Sequence, residues 1–173
     1  MRRTKIAQIL LWLFVILLGV VIGGGLYEMR VTVPLWANSP PESVWYWETV
    51  RNANPQYVPN SGLRFWVFVT PTHLLLAVAT LIAGWKTRGE HRKWLFASTI
   101  AVIILHASAL IWFVPTIGAI RDSQALGISR EWVIAKTQLW VTLSWVRLVF
   151  GLAAFVAGLR ALTIPPLRES DSG

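Results

Sequence analysis

The sequence predicts an all-α protein: a transmembrane antiparallel four-helix bundle with its N and C termini in the cytoplasm. Three observations carry that reading. Hydrophobic residues make up 55% of the 173-residue chain and charged ones only 14%, whereas a soluble domain is about a quarter charged. The apolar residues gather in four runs, at 6–26, 63–85, 94–117 and 138–159, each long enough to cross a bilayer. The bases are also divided unequally between the two sides that four crossings create. One side holds Arg2, Arg3, Lys5, Lys86, Arg88, Arg92, Lys93, Arg160 and Arg168 against Glu90, Glu169 and Asp171, a net +6. The other holds Arg30, Arg51, Arg64, Arg121, Arg130 and Lys136 against five acids, a net +1. Excess Lys and Arg mark the cytoplasmic side, here that of a bacterial inner membrane. The spans and their external loops, 27–62 and 118–137, make one membrane domain, 1–173.

The first run, IAQILLWLFVILLGVVIGGGL, follows a basic start that resembles a signal peptide. It is about twice the length of a signal h-region and no Ala-x-Ala-like site follows it, so it reads as a span. Gly19 and Gly23, four apart, suggest close helix contact through a small-residue face. Five prolines punctuate 27–62, which rules out one continuous helix there. Ser39 is three residues ahead of Glu42, so the spacing predicts a short helix over 42–52 capped by Ser39. Trp45, Tyr46 and Trp47 make this loop too aromatic for a loose linker. It either covers the bundle mouth or docks a homo- or hetero-oligomeric partner through 36–57.

The second run carries Pro71 in its first turns and places Thr70, His73, Ala77, Thr80 or Leu81, and Gly84 on one small, polar face. The connector KTRGEHRK is short, so the second and third helices are neighbours. In the third run Thr99, Val102, His106, Ala109 and Phe113 share a face, and Pro115 marks the exit. Ser129-Arg-Glu131 reads as the start of the fourth helix, whose stripe is Ser144, Arg147, Gly151, Ala154 and Gly158. The tail after Pro165-Pro166 is short and polar.

Ionisable groups inside apolar spans are costly and face a bundle interior or polar cavity. His73, His106 and Arg147 each stand about nine to eleven residues from the outer end of their runs, at one depth within a turn. Tyr27 and Glu28 end the first span on the same side. Each residue has a structural alternative: His73 as a neutral ring on the carbonyl freed by Pro71, His106 as a satisfied core donor, and Arg147 as a partner of Glu28. Functionally, one histidine serves as base, the second as donor and Arg147 as stabiliser of the anion formed on a lipophilic aromatic or quinone-type substrate. Dioxygen then makes the protein an oxidoreductase of oxygenase-like kind.

A second reading has His73 and His106 binding non-covalent haem b, or a copper, iron or zinc ion with Glu28 as third metal ligand, in an electron-transfer module. A third is an accessory subunit of a larger membrane complex, and a small transporter comes last. Cysteine is absent, which excludes disulfides and thiol chemistry. No nucleotide loop, nucleophile elbow or HExxH motif occurs, which argues against energy-coupled transport, serine hydrolysis and zincin proteolysis. The basic charge is placed for topology and lipid rather than nucleic acid.

The end of the first span, GGGLYEMRVTVPLW, the long first loop with Trp45 and Trp47, and the opening WVFVTPTH of the second span resemble a small four-span membrane family of unknown function that includes the anthrone oxygenase-like proteins. The likeness covers roughly residues 6–159. It implies a four-helix membrane bundle and, for some members, oxygenation of anthrones to anthraquinones without an established cofactor. It carries over no catalytic residues, so His73, His106 and Arg147 rest on their own placement.

Overall fold

The computed structural model describes residues 2–54 and 61–165, the side chains of 2–4 and 61 excepted. Pro55, Tyr57, Pro59, the side chains of Arg2 and Arg3, and the tail from Pro166 lie outside the described residues. The chain is all-α: α1 Arg2–Tyr27, α2 Val33–Ala37, α3 Glu42–Ala53, α4 Ser61–Gly84, α5 Gly89–Ser108, α6 Val114–Arg121 and α7 Arg130–Thr163. Among the described residues four stretches are long and apolar enough to cross a membrane: Lys5–Ala37, Gly62–Gly84, Gly89–Arg121 and Arg130–Thr163. This is an integral membrane protein with long apolar helices suited to a bilayer.

Two of these stretches outrun the expected spans, and the same device explains both. A π turn, Glu28–Thr32, joins α1 to α2, and another, Ala109–Phe113, joins α5 to α6. Each ends two residues before a proline, Pro34 or Pro115. Val33 N–H donates five residues back to the Glu28 carbonyl, and Val114 N–H does so to Ala109. In a regular helix a proline ring clashes with the carbonyl four residues earlier; the wider turn takes up that clash. The expected external loops 27–62 and 118–137 are thus largely helical. Pro115 lies within a continuing helix rather than at an exit, and Pro34 does not stop the first helix. Pro71 sits inside α4 without such a turn.

α3 forms at Glu42–Ala53, close to the expected bounds, but its N-cap is Pro41 without a side-chain cap. Ser39 contributes its backbone N–H, donated to Ser43 Oγ, and Ser43 Oγ–H in turn donates to the Trp36 carbonyl at 2.7 Å. At α7 the expected start holds: Ser129 Oγ accepts the Trp132 N–H.

The residues group into two compact units. The first comprises Met1–Gly23, Val69–His106 and Val149–Gly173. Its core is Leu11, Phe14, Val15 and Leu18 of α1, Ala77 of α4, Leu95 and Val102 of α5, and Ala154 and Ala161 of α7. His73 meets His106 and Gly84 meets Leu95, so numbers rise along α4 as they fall along α5. Ser98 Oγ–H donates to the Ala154 carbonyl at 2.7 Å. His91 Nδ1–H donates to the Ala161 and Ile164 carbonyls at 3.0 and 2.9 Å. It thereby brings a side-chain donor to the C-terminal end of α7, where the Ala161 carbonyl also accepts the Ile164 N–H.

The second unit comprises Gly24–Phe68 and Ala107–Leu148. Its core is Met29, Val33, Trp36, Val44, Ile120 and Val133, ringed by Trp45, Trp47, Trp132, Trp140 and Trp145. The aromatic loop therefore packs its indoles inward, leaving Tyr46 as its most exposed ring among the described residues, at 70%. Trp45 Nε1–H donates to Ser123 Oγ at 3.0 Å, and Arg130 pairs with Glu42, holding α3 to the start of α7. The close glycine contact here is Gly24, whose added Cβ would lie 2.8 Å from the Phe65 ring. Gly23, expected to share a packing face with Gly19, has open space around it.

A Cβ at Gly84 would sit 2.7 Å from Leu95 Cδ1. Gly84→Ala is expected to lower stability by about 1–3 kcal/mol through overpacking. In a Leu95→Ala background the same change should cost much less. Thermal unfolding of the four proteins in one detergent measures this coupling.

Candidate functional site

The periodicity of α4 and α5 brings their histidines face to face. Positions 73, 77, 80 and 84 recur on one face of α4, and 95, 99, 102 and 106 on one face of α5. Both sets are buried. Thr80 and Thr99 are fully buried with them, and Thr99 Oγ–H is returned to the Leu95 carbonyl of its own helix at 2.9 Å. His73 is 0% exposed and His106 5%. Their rings stand perpendicular, 89° between planes with centroids 5.1 Å apart. His106 Nε2 and His73 Nδ1 are 3.0 Å apart in a hydrogen bond. Phe14 of α1 stacks on the other side of His73, at 5.2 Å and 28°.

The tautomer sets which ring donates in this bond. By its geometry His73 Nε2 has no hydrogen-bond partner among the described residues, while the Phe14 backbone also acts on the His73 ring through a hydrogen bond. A buried imidazole held at one nitrogen by a neighbour is the arrangement a proton acceptor needs, because that bond orders the ring.

Arg147 and Glu28 belong to the second unit. The Arg147 guanidinium lies over the Phe113 ring, 4.2 Å from its centroid, within the range of a cation–π contact. Phe113 closes the π turn of residues 109–113, and its carbonyl accepts Trp140 Nε1–H at 3.2 Å. Glu28 opens the other π turn, accepts Trp66 Nε1–H on Oε2 at 3.0 Å, and attracts Arg147 electrostatically. The carboxylate missing at Arg147's depth in the sequence is thus supplied by the end of the first span. Tyr27, expected beside Glu28 in a site wall, is 63% exposed. The four site residues are described as two pairs, His73 with His106 and Glu28 with Arg147.

Two axial nitrogens on opposite faces of one metal stand about 4 Å apart, given bonds of about 2 Å each. The facing nitrogens of His106 and His73 are instead 3.0 Å apart and hydrogen-bonded to each other. Among the described residues no three His, Asp or Glu side chains gather as a metal-holding group, and Glu28 is engaged by Trp66.

A further cluster was not singled out from the sequence. Glu48 pairs with Arg51 three residues on, and lies 3.5 Å from Arg121. The signal available was the i,i+3 spacing of opposite charges on the predicted 42–52 helix; that Arg121 joins them is a tertiary fact. Comparisons with protein-family models, curated proteins and solved structures give no match. The site is therefore read on its own geometry.

Truncating one partner tests the imidazole pair. His106→Phe leaves the buried His73 Nδ1 without its partner and is expected to cost about 1–3 kcal/mol, while His73→Phe/His106→Phe recovers part of that loss. Nitrogen NMR of 15N-histidine protein reads the tautomer: a base at His73 Nε2 requires the proton on Nδ1.

Proposed function

We propose that the protein is a membrane-embedded oxidoreductase of oxygenase-like kind, acting on a lipophilic aromatic or quinone-type molecule through acid–base chemistry at His73. The observation that supports it is the buried hydrogen bond between His73 and His106, with His73 Nε2 outside that bond. A suitable substrate has an acidic methylene between aromatic rings, conjugated to a carbonyl. His73 Nε2 takes a methylene proton, and the electron pair delocalises into the rings as a phenolate. The carbon then bonds to dioxygen, and the dyad returns the proton to give a hydroperoxide. Loss of water breaks the O–O bond and leaves a ketone. The methylene compound and one O2 become the ketone and one H2O; carbon loses four electrons and dioxygen gains them. Phe14, stacked on His73, offers an aromatic ring beside the base. Arg147, engaged with Phe113 and Glu28, has no step in this scheme.

Anthrone supplied to the full chain in lipid nanodiscs is the test. Oxygen uptake is expected to match ketone formation one to one, and His73→Gln should lower the rate by at least about 100-fold, the usual scale of general base catalysis. A wild-type rate equal to that of empty nanodiscs, or an undiminished rate in His73→Gln, would refute the proposal.

For topology, we infer an antiparallel four-helix bundle with both termini in the cytoplasm of a bacterial inner membrane, from the basic excess at Lys86, Arg88, Arg92, Lys93 and Arg160. Since the chain has no cysteine, single replacements report cleanly. A membrane-impermeant maleimide is expected to label Gln124→Cys in cells whose inner membrane is intact, and Lys86→Cys only after that membrane is permeabilised.

A further inference from the structure

The second unit holds a cavity of about 220 Å³ between α3 and the turn that follows α6. Trp45, Glu48 and Arg51 line it from α3, and Arg121, Asp122 and Gln124 from the other side. Two guanidinium groups and two carboxylates therefore face one small space. The Arg121–Glu48 pair, at 3.5 Å, does not use up the capacity of these groups. Glu48 Oε1 and Arg51 Nε are both buried and, among the described residues, without a hydrogen-bond partner. One is an acceptor and the other a donor. Trp45 has its indole N–H tied to Ser123, so what it offers the cavity is its ring.

These features select a ligand class. A simple anion would meet the arginines but also two carboxylates, and a simple cation the reverse. A ligand carrying both charges satisfies both sets: its anion lies against Arg51 and Arg121, its N–H donors against Glu48 and Asp122. Guanidinium forks match phosphate oxygens. A cavity of about 220 Å³ is below the usual 300–1,000 Å³ of drug-sized sites, so the ligand portion is small. Arg121 is the last residue of the candidate span Gly89–Arg121, which puts the cavity at headgroup level. We propose that this cavity binds a phosphate joined to a primary ammonium by a short linker, the chemistry of an ethanolamine phosphate headgroup.

The test titrates O-phosphoethanolamine, O-phosphocholine and inorganic phosphate into the full-length protein in a neutral detergent, read by calorimetry. Phosphoethanolamine is expected to bind at least about tenfold tighter than the other two, because the trimethylated amine has no N–H for Glu48 and phosphate has no cation. Glu48→Gln should erase the preference, and Arg121→Gln should weaken binding of all three. Glu48 holds two arginines, so its loss risks the fold; Thr49→Trp, at an exposed lining position, fills the cavity and should abolish binding in a folded protein. Native mass spectrometry from nanodiscs separates the sources. Retention of phosphatidylethanolamine over phosphatidylcholine, lost in Thr49→Trp, supports a lipid headgroup even if the soluble compound binds weakly. Tight soluble binding without lipid retention supports a free amine phosphate. Equal affinity for phosphocholine and phosphoethanolamine, binding unchanged in Thr49→Trp, or no binding of either headgroup or lipid overturns the proposal.

Discussion

The hydrogen bond between two buried imidazoles is the constraint on which the first unit turns. In an apolar interior a polar ring must find a partner or lose several kilocalories per mole. His73 and His106 find each other at 3.0 Å, and that requirement fixes the register of α4 against α5. With 73 opposite 106, the Gly84 end of α4 falls against Leu95, where only a hydrogen in place of a methyl leaves room. A slip by one residue would part the rings and drive Leu95 toward a bulkier neighbour. Polar pairing and steric fit thus select one alignment from two helices whose lipid-facing sides are uniformly greasy.

Much of this was legible in the sequence because it is periodic. The faces 73/77/80/84 and 99/102/106 follow from 3.6 residues per turn, and the expected neighbourhood of the two helices from a short connector. The four crossings follow from length and apolarity alone. The π turns were not legible, since a proline near a span end reads as a terminator and only the packed helix shows that it is absorbed. Arg147's setting was half visible. Glu28 was a nameable partner, but the Phe113 ring comes from another helix, at the end of a turn whose geometry no spacing rule gives. The cluster of Glu48, Arg51 and Arg121 lies further still from what a pattern encodes, being made by α3 packing on the end of α6.

Tryptophan shows how composition can point to the right environment for an incomplete reason. Eleven indoles in a short apolar chain suggest rings at the membrane interface. Several instead build the second unit's core, and their N–H groups are spent on specific acceptors: Trp45 on Ser123, Trp66 on Glu28, Trp140 on the Phe113 carbonyl. A large apolar body with one donor suits a region where helix ends, π turns and carboxylates leave acceptors to be met. Phenylalanine in those places would fill the space and strand the acceptors.

The division of ionisable groups between the units follows from what each can do without its charge. A guanidinium stays protonated under any physiological condition, so inside a span it needs a counter-charge and a polarisable neighbour. Glu28 and Phe113 provide them, in the unit that also holds the other arginine–glutamate contacts. An imidazole can stand neutral, and two of them share one hydrogen bond with no net charge in the core of the first unit. Charge is therefore held where it can be balanced, and the group that can do without charge takes the buried place in the first unit, ordered by a hydrogen bond to its neighbour and by the Phe14 ring stacked on it.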